Sequence, residues 1–259
     1  MVADSLDVVI GVDTHRDAHA LALVATASGA LLLEAVVEGE ALRGLISTRE
    51  SAVGARRAAL NQLRALIVTC PEPLRAELRP LTRARLLRRL RGTRPRRHAD
   101  RQLRGTLLAM RLLAVRIEAL TLEQRELEGE IVALVRELAP QLLAQPGVGP
   151  ISAAHVLLAW SHKGRLRNEA AFARLAGAPP IPASSGKVVR HRLDRGGDRK
   201  LNRALHTIIL TRRRTDPDTI AYIQRRVSEG KSDRDAVRSL KRYLARSLFR
   251  QLEAPPHTA

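Results

Sequence analysis

The sequence predicts a mostly α protein with a small β element, and three observations carry that reading. Short β-branched runs occur only ahead of Glu40 and once more near residues 187–193. From Glu40 onward apolar residues recur at helical spacing, and between Met110 and Leu138 they alternate three and four apart with no proline among them. Prolines and glycines then divide the remaining chain into helix-sized pieces.

The elements follow in chain order. "DVVIGVD" is an apolar run ending in Asp13, and "HALALVATASGALLLEAVVEG" reads as two further strands turned at Ser28-Gly29, so three strands are expected. Leu42, Leu45, Ile46, Val53, Leu60, Leu63, Leu66 and Ile67 then fall roughly on one helix face, until Pro71 and Pro73 stop it. Residues 83–104, "RARLLRRLRGTRPRRHADRQLR", hold ten Arg and one acid, Asp100. So many like charges repel unless a polyanion neutralises them, which favours phosphate contact by Arg88, Arg89, Arg96 and Arg97 over a merely solvated face.

A long helix to about Leu138 comes next. Met110, Leu113, Ile117, Leu120, Gln124, Leu127, Ile131, Leu134 and Leu138 have the spacing of a coiled-coil seam with one polar member, Gln124. Two partners fit that seam: a second copy of the chain, which is the preferred reading, or another helix of the same chain. Pro140 ends the helix, and "LLAQPGVGPISAAHVLLAW" looks like a helix-hairpin-helix element. Its backbone amides around Gly147 and Gly149 can hold a DNA phosphate, although a plain helical hairpin has the same outline. His155 reads as a packed residue.

"RNEAAFARLAG" is a short helix capped at Asn168 and closed at Gly177. A proline-bounded loop, a strand near 187–193, a Gly196-Gly197 turn and a helix capped by Asp198 follow. Basic residues crowd this part: Lys187, Arg190, Arg192, Arg195, Arg199, Lys200 and Arg203. "SEGKSDRDAVRSLKRYLARSLFRQL" closes the chain as an amphipathic basic helix. The expected organisation is an N-terminal piece over 1–39, a helical connector over 40–140 and a C-terminal domain over 141–253.

Composition narrows the partners. In 259 residues, 45% are apolar, enough for a real core, and the net charge is +19, which attracts polyanions. Nucleic acid is the first partner to expect. No apolar run is long enough to span a bilayer, and the acidic start "MVADSLDVVIGVD" lacks the basic flank of a signal peptide. The single cysteine, Cys70, excludes an internal disulfide and a cysteine-based zinc module; it reads as a buried thiol in a cytoplasmic protein. Aromatic residues make up 2% of the chain, which argues against base-stacking modules and for backbone contact.

One stretch, "GVDTHRDAHALAL", places Asp13, His15, Asp17 and His19 at alternate positions, as a metal site on one strand would. "THRDA" reads better as the turn joining two strands, in which geometry the four side chains diverge.

From about Leu142 the blocks "LLAQPGVGPISAA", "RNEAAFARLAGAPPIPASSG", "VVRHRLDRGGDRKLNRALH" and "EGKSDRDAVRSLKRYLARSLF" occur in the same order as in a known family. This part closely resembles the C-terminal domain of the DEDD-type insertion-sequence transposases related to the Piv DNA invertase, insertion-sequence family 110. The opening "IGVDTHRDAHALALVATASGALL" resembles the start of that family's RuvC-like, RNase H-like domain, and the helices between resemble its connecting coiled coil. The resemblance implies a recombinase with a Mg²⁺-binding acidic cluster and a serine that attacks a DNA phosphodiester. It also implies a structured guide RNA and homo-oligomeric assembly. By motif, Asp13 corresponds to the first acid and metal ligand, and Ser185 to the nucleophile, with Ser184 as the adjacent alternative. The cations Arg190, Arg192 and Arg195 would stabilise the charge that develops on the phosphate.

The sequence departs from the family pattern in one place. The third expected strand runs straight into "VVEGEALRGLISTRE", where the family would place a strand ending in Glu and a helix with two Asp three apart. Glu34, Glu38, Glu40 and Glu50 follow no such strand, so the resemblance implies an internal deletion in the RuvC-like domain and a remnant at 1–39. A single Asp13 is too few hard ligands for a working Mg²⁺ site. The expected protein is a transposase impaired in metal chemistry; the alternative is a non-catalytic DNA- or RNA-binding derivative.

Overall fold

The structure, a computed structural model, describes residues 8–15, 18–25, 34–95, 100–179, 181–182, 191–192, 194 and 196–254. The predicted class holds: the described chain is mostly helical with very few strands. Strands β1 (Val8–His15) and β2 (Ala18–Ala25) form an antiparallel pair, with Asp13 opposite Ala20, Thr14 opposite His19 and His15 opposite Ala18. The two join through residues 16 and 17, outside the described residues.

The third expected strand needs correcting. Helix α1 (Glu34–Thr69) already includes the "EAVVEGE" segment. Val36 and Val37 favour a strand locally, but Ala and Glu beside them suit a helix. Extending a long helix by a turn also avoids the cost of nucleating a new element. Residues 26–33 lie outside the described residues.

The chain divides into two compact units, Leu45–Glu130 and Met1–Gly44 with Ile131–Ala259. In the first, α1 is followed by α2 (Glu72–Leu78), α3 (Arg83–Arg91) and α4 (Arg101–Leu138). Pro71 caps α2 and Pro73 sits in its first turn, where a missing N–H costs nothing. The core gathers Ala59, Leu63 and Cys70 of the α1 end, Leu78 of α2, Leu87 and Leu90 of α3, and Met110, Ala114 and Ile117 of α4.

That core decides between the two partners of the expected seam. Met110 and Ile117 are 0% and 1% exposed because other helices of the same chain cover them. Each such burial stabilises by about 1.5–3 kcal/mol. The polar member, Gln124, donates from Nε2 to Glu128 Oε1 at 2.8 Å, and Arg49 Nε of α1 donates to the same oxygen at 2.8 Å. From Met110 to Gln124 the seam is therefore an internal packing face in this unit, with a polar layer at Gln124.

The second unit contains α5 (Pro140–Leu143), α6 (Pro150–Trp160), α7 (Glu169–Leu175), β3 (Ile181–Pro182), β4 (His191–Arg192), α8 (Arg199–Thr215), α9 (Pro217–Ser228) and α10 (Asp233–Glu253). Asn168 caps α7 by accepting from Ala171 N at 2.9 Å, and Asp198 caps α8 by accepting from Lys200 N and Leu201 N at 2.7 and 2.9 Å. Helices α8 and α10 are central: α8 packs on α6, α9 and α10, and α10 also on α5, α7 and α9. Leu201, Leu205 and Ile208 of α8 and Ala245 and Leu248 of α10 are fully buried. Phe172 of α7 meets Phe249 of α10 with ring centroids 5.8 Å apart.

Candidate nucleic-acid interface

The described residues around the serine-bearing segment form a closed base. Helix α7 ends at Leu175, and Gly177 takes φ +60°, a conformation a Cβ would strain. The chain returns at Gly197, whose α-carbon approaches the Gly177 backbone so closely that a Cβ on Gly197 would overlap it. Asp198 N then donates to Leu175 O at 2.7 Å. Between these points β3 and β4 pair antiparallel, Ile181 opposite Arg192 and Pro182 opposite His191. The segment from 178 to 196 thus leaves and rejoins the helical core at one place.

Two polar side chains of the core finish that base. Asn202 Nδ2 of α8 donates to Ala176 O at 2.6 Å, and Lys241 Nζ of α10 donates to Asn202 Oδ1 at 3.0 Å. Lys241 is 7% exposed. Burial, and then the neighbouring Arg238, hold its ammonium below the ordinary lysine value. Burial and the Lys241 charge likewise hold His206 below the ordinary histidine value. This chain of donors ties α10 through α8 to the last turn of α7.

The α5–α6 connection is a short helix, a turn and a second helix, an outline that a plain helical hairpin shares. Helix α5 has only four residues, and the turn after it places Gly147 at φ +72°. Gly147 faces α8: a Cβ there would lie 3.0 Å from both Arg212 Cγ and Ile208 O, and Arg212 Nε donates to Pro146 O at 2.7 Å. Packing against α8 therefore accounts for this glycine. Gly149, exposed before Pro150 at the start of α6, has nothing within 4 Å of a built Cβ.

The predicted cations divide by position. Arg199, Lys200 and Arg203 are exposed on the first turns of α8, directly after the loop base. Arg192 lies on β4, so its backbone is placed opposite Ile181. Arg88 and Arg89 are exposed on α3, where Arg89 pairs with Glu77 at 2.5 Å. Ser184, Ser185, Lys187, Arg190, Arg195, Arg96 and Arg97 lie outside the described residues.

Asp13 is placed by its backbone alone, and the donor set of its hairpin tests the expected Mg²⁺. The described strands carry one carboxylate, Asp13, and two imidazoles, His15 and His19. Mg²⁺ is held mainly by oxygens, commonly more than one carboxylate or a carboxylate with substrate phosphate. Among the described residues of these strands Asp13 is the one carboxylate, so a Mg²⁺ there would need further oxygens from substrate phosphate or from residues outside the described ones. No group of three or more His, Cys, Asp or Glu suited to a metal occurs among the described residues.

Sequence reasoning missed Lys241, Asn202 and Arg212. A signal existed for Lys241: it falls on the buried stripe of α10 between Val237 and Leu244, where a charged residue needs a reason. Asn202 and Arg212 gave none, because their partners lie in distant segments.

A family model matches part of this helical unit. The family model described as "Transposase IS116/IS110/IS902 family" matches residues 139–224. The uncharacterized 43.6 kDa protein of insertion element IS110 from Streptomyces coelicolor is 32% identical over 152 residues, 57% of this chain and 38% of the relative. The uncharacterized 42 kDa protein of insertion element IS900 from Mycobacterium paratuberculosis is 34% identical over 147 residues, 54% of this chain and 36% of the relative. The alignments thus span under two fifths of the length of these curated relatives. Among the described residues no helix is long and apolar enough to cross a membrane. Over residues 139–224, from just after α4 into α9, this chain is similar to the IS116/IS110/IS902 transposase family.

Proposed function

We propose that this chain is a DNA-binding recombinase of an insertion element. Its C-terminal helical domain holds DNA backbone, and Ser185, or Ser184 beside it, attacks a phosphodiester. The observation that supports this most is the family match over 139–224, which covers the closed loop base and the exposed cations Arg199, Lys200 and Arg203. In the attack one P–O bond replaces another: Ser185 Oγ bonds to phosphorus, the sugar oxygen leaves, and the serine proton passes to that oxygen. Lys187, Arg190, Arg192 and Arg195 supply the positive charge for the phosphate. A guide RNA is the further polyanion this basic chain would take.

The Asp13 hairpin is the impaired part of this reading, because its described strands offer Mg²⁺ one carboxylate and the expected strand ending in Glu is not found in the sequence. Adding Mg²⁺ to duplex and the purified chain should give no cleavage beyond the serine adduct formed without it. Metal-dependent cleavage that Asp13→Ala abolishes would overturn the impairment. The second reading, binding without catalysis, rests on the same donor set.

We also propose self-association, through a face other than the expected seam. Leu108, Leu112, Val115 and Leu122 of α4 are 46%, 60%, 44% and 64% exposed, and with exposed Ala119 they alternate four and three apart. Arg101, Arg104, Arg111 and Arg116 make the first half of α4 basic, whereas Glu118, Glu123, Glu126 and Glu130 make the second half acidic. A second copy lying antiparallel sets basic half on acidic half. With Leu112 seated on Val115 of the second copy, Arg111 meets Glu118, and the like pair Arg104 with Arg125 falls at the ends. A parallel copy instead sets Arg111 near Arg116 and Glu118 near Glu123, which disfavours it.

A further inference from the structure

The aromatic residues of this chain are one Trp, two Tyr and two Phe. Both phenylalanines are buried in the α7–α10 contact, and Trp160 donates from Nε1 to Glu253 Oε1 at 2.8 Å. The two tyrosines behave differently. Tyr222 of α9 and Tyr243 of α10 meet edge to face, centroids 6.2 Å apart at 78°, and Tyr243 remains 47% exposed. Each ring carries an arginine: Arg225 lies 5.4 Å from the Tyr222 centroid and Arg242 lies 5.3 Å from the Tyr243 centroid.

The charge at this patch is unbalanced. Glu229 is shared by Arg225 at 3.8 Å and Arg226 at 2.5 Å, while Arg242 has no carboxylate partner among the described residues. Nε atoms of Arg226 and Arg242 are buried without a hydrogen-bond partner. A guanidinium held against an aromatic ring keeps its charge beside the ring, where its terminal N–H groups can meet an anion. A face with exposed aromatic surface next to surplus guanidinium groups suits a ligand that is flat on one side and anionic on the other.

We propose that the Tyr222–Tyr243 pair is a stacking platform for an unpaired nucleobase, with Arg242 and Arg225 taking the adjoining phosphates. The proposal deepens the nucleic-acid reading and rests on it. A closed duplex hides its base faces, so the platform takes single strands: a DNA strand opened during exchange, or a single-stranded part of an RNA. The low aromatic content predicts backbone contact alone, yet the fold brings both tyrosines to one surface. A role in packing α9 on α10 accounts for the edge-to-face contact but not for the exposed ring or the unbalanced charge.

Fluorescence anisotropy of the full chain with a labelled single-stranded DNA, the RNA of the same sequence and the blunt duplex tests it. Tyr243→Ala should weaken single-strand binding by about 5- to 100-fold, as loss of one base–aromatic stack does, with duplex affinity within about twofold. Tyr243→Trp should keep single-strand affinity, and its unfolding midpoint and that of the alanine variant report whether the fold is intact. Loss on DNA, on RNA or on both supports the platform and identifies the strand it takes. Equal loss on duplex and single strand, no loss with Tyr243→Ala, or equal loss with Tyr243→Trp overturns it while leaving nucleic-acid binding in place. If the parent chain binds none of the three probes, the underlying nucleic-acid reading fails along with the platform.

Discussion

Gly197→Ala tests the closed base of the serine-bearing loop. A methyl at position 197 would overlap the Gly177 nitrogen and lie 2.6 Å from the Gly177 Cα and 2.9 Å from the Leu175 carbonyl oxygen. All three are backbone atoms, so no rotamer change relieves the contact. Ordinary carbon contacts lie at about 3.5–4.0 Å, so the two chain segments must part by roughly 1 Å. That movement takes the Asp198 N to Leu175 O hydrogen bond, 2.7 Å in the closed base, beyond its working range. Overpacking costs about 1–3 kcal/mol and the lost hydrogen bond about 0.5–1.5 kcal/mol. Alanine's smaller unfolded-state entropy offsets about 0.4–1 kcal/mol of this, leaving a net loss near 2 kcal/mol at mid-range.

Urea unfolding followed by tryptophan fluorescence measures that loss. Trp160 is the chain's single tryptophan and belongs to the same unit as the loop base. Gly149→Ala is the control, since a Cβ there meets nothing within 4 Å; it should change stability by no more than about 0.5 kcal/mol. A Gly197→Ala protein no less stable than Gly149→Ala would refute the closed base.

Two further predictions concern other parts of the fold. Burial and Arg238 depress the folded-state pKa of Lys241 below its unfolded value, so stability is lost as pH falls through the folded value and regained toward the ordinary 10.5. The parent chain should therefore gain unfolding free energy as pH rises through the alkaline range below 10.5, more steeply than Lys241→Met, in urea titrations across that range. Parallel pH profiles would remove the buried ammonium from the account. Leu112→Glu puts a charge in the middle of the exposed stripe of α4, and light scattering should then report a monomer where the parent chain is a dimer. A parent chain that is already monomeric, or a variant that stays dimeric, excludes that face as the interface.

Local chemistry was legible in the sequence; distant contacts were not. The end of α4 at Leu138 follows from Pro140, and the caps at Asn168 and Asp198 follow from short side chains that bond amides two or three residues ahead. Burial of Cys70 was legible for the same reason, as one more apolar position at the end of a helix face. The spacing of Met110 and Ile117 identified them as buried but said nothing of what covers them, and the cover is α1 and α3 of the same unit rather than another chain. Gly147 was recognisable as a turn glycine, yet its reason is the approach of Arg212 from α8. The Lys241–Asn202–Ala176 chain joins three helices, and no window of sequence contains it. Val36 and Val37 misled because neighbouring helix formers and a long continuing helix outweigh two β-branched residues.

The central claim is that the C-terminal domain holds DNA for attack by a serine of the loop closed at Gly177 and Gly197. Its most direct test is covalent capture: duplex carrying a labelled strand with a scissile phosphate that cannot be religated, incubated with the full chain and resolved under denaturing conditions. The account predicts a protein–DNA adduct whose peptide map places the phosphate on Ser185 or Ser184, absent from the Ser184→Ala, Ser185→Ala double variant, which still binds the duplex. DNA binding with no adduct in the parent chain, or an adduct unchanged in the double variant, would contradict it.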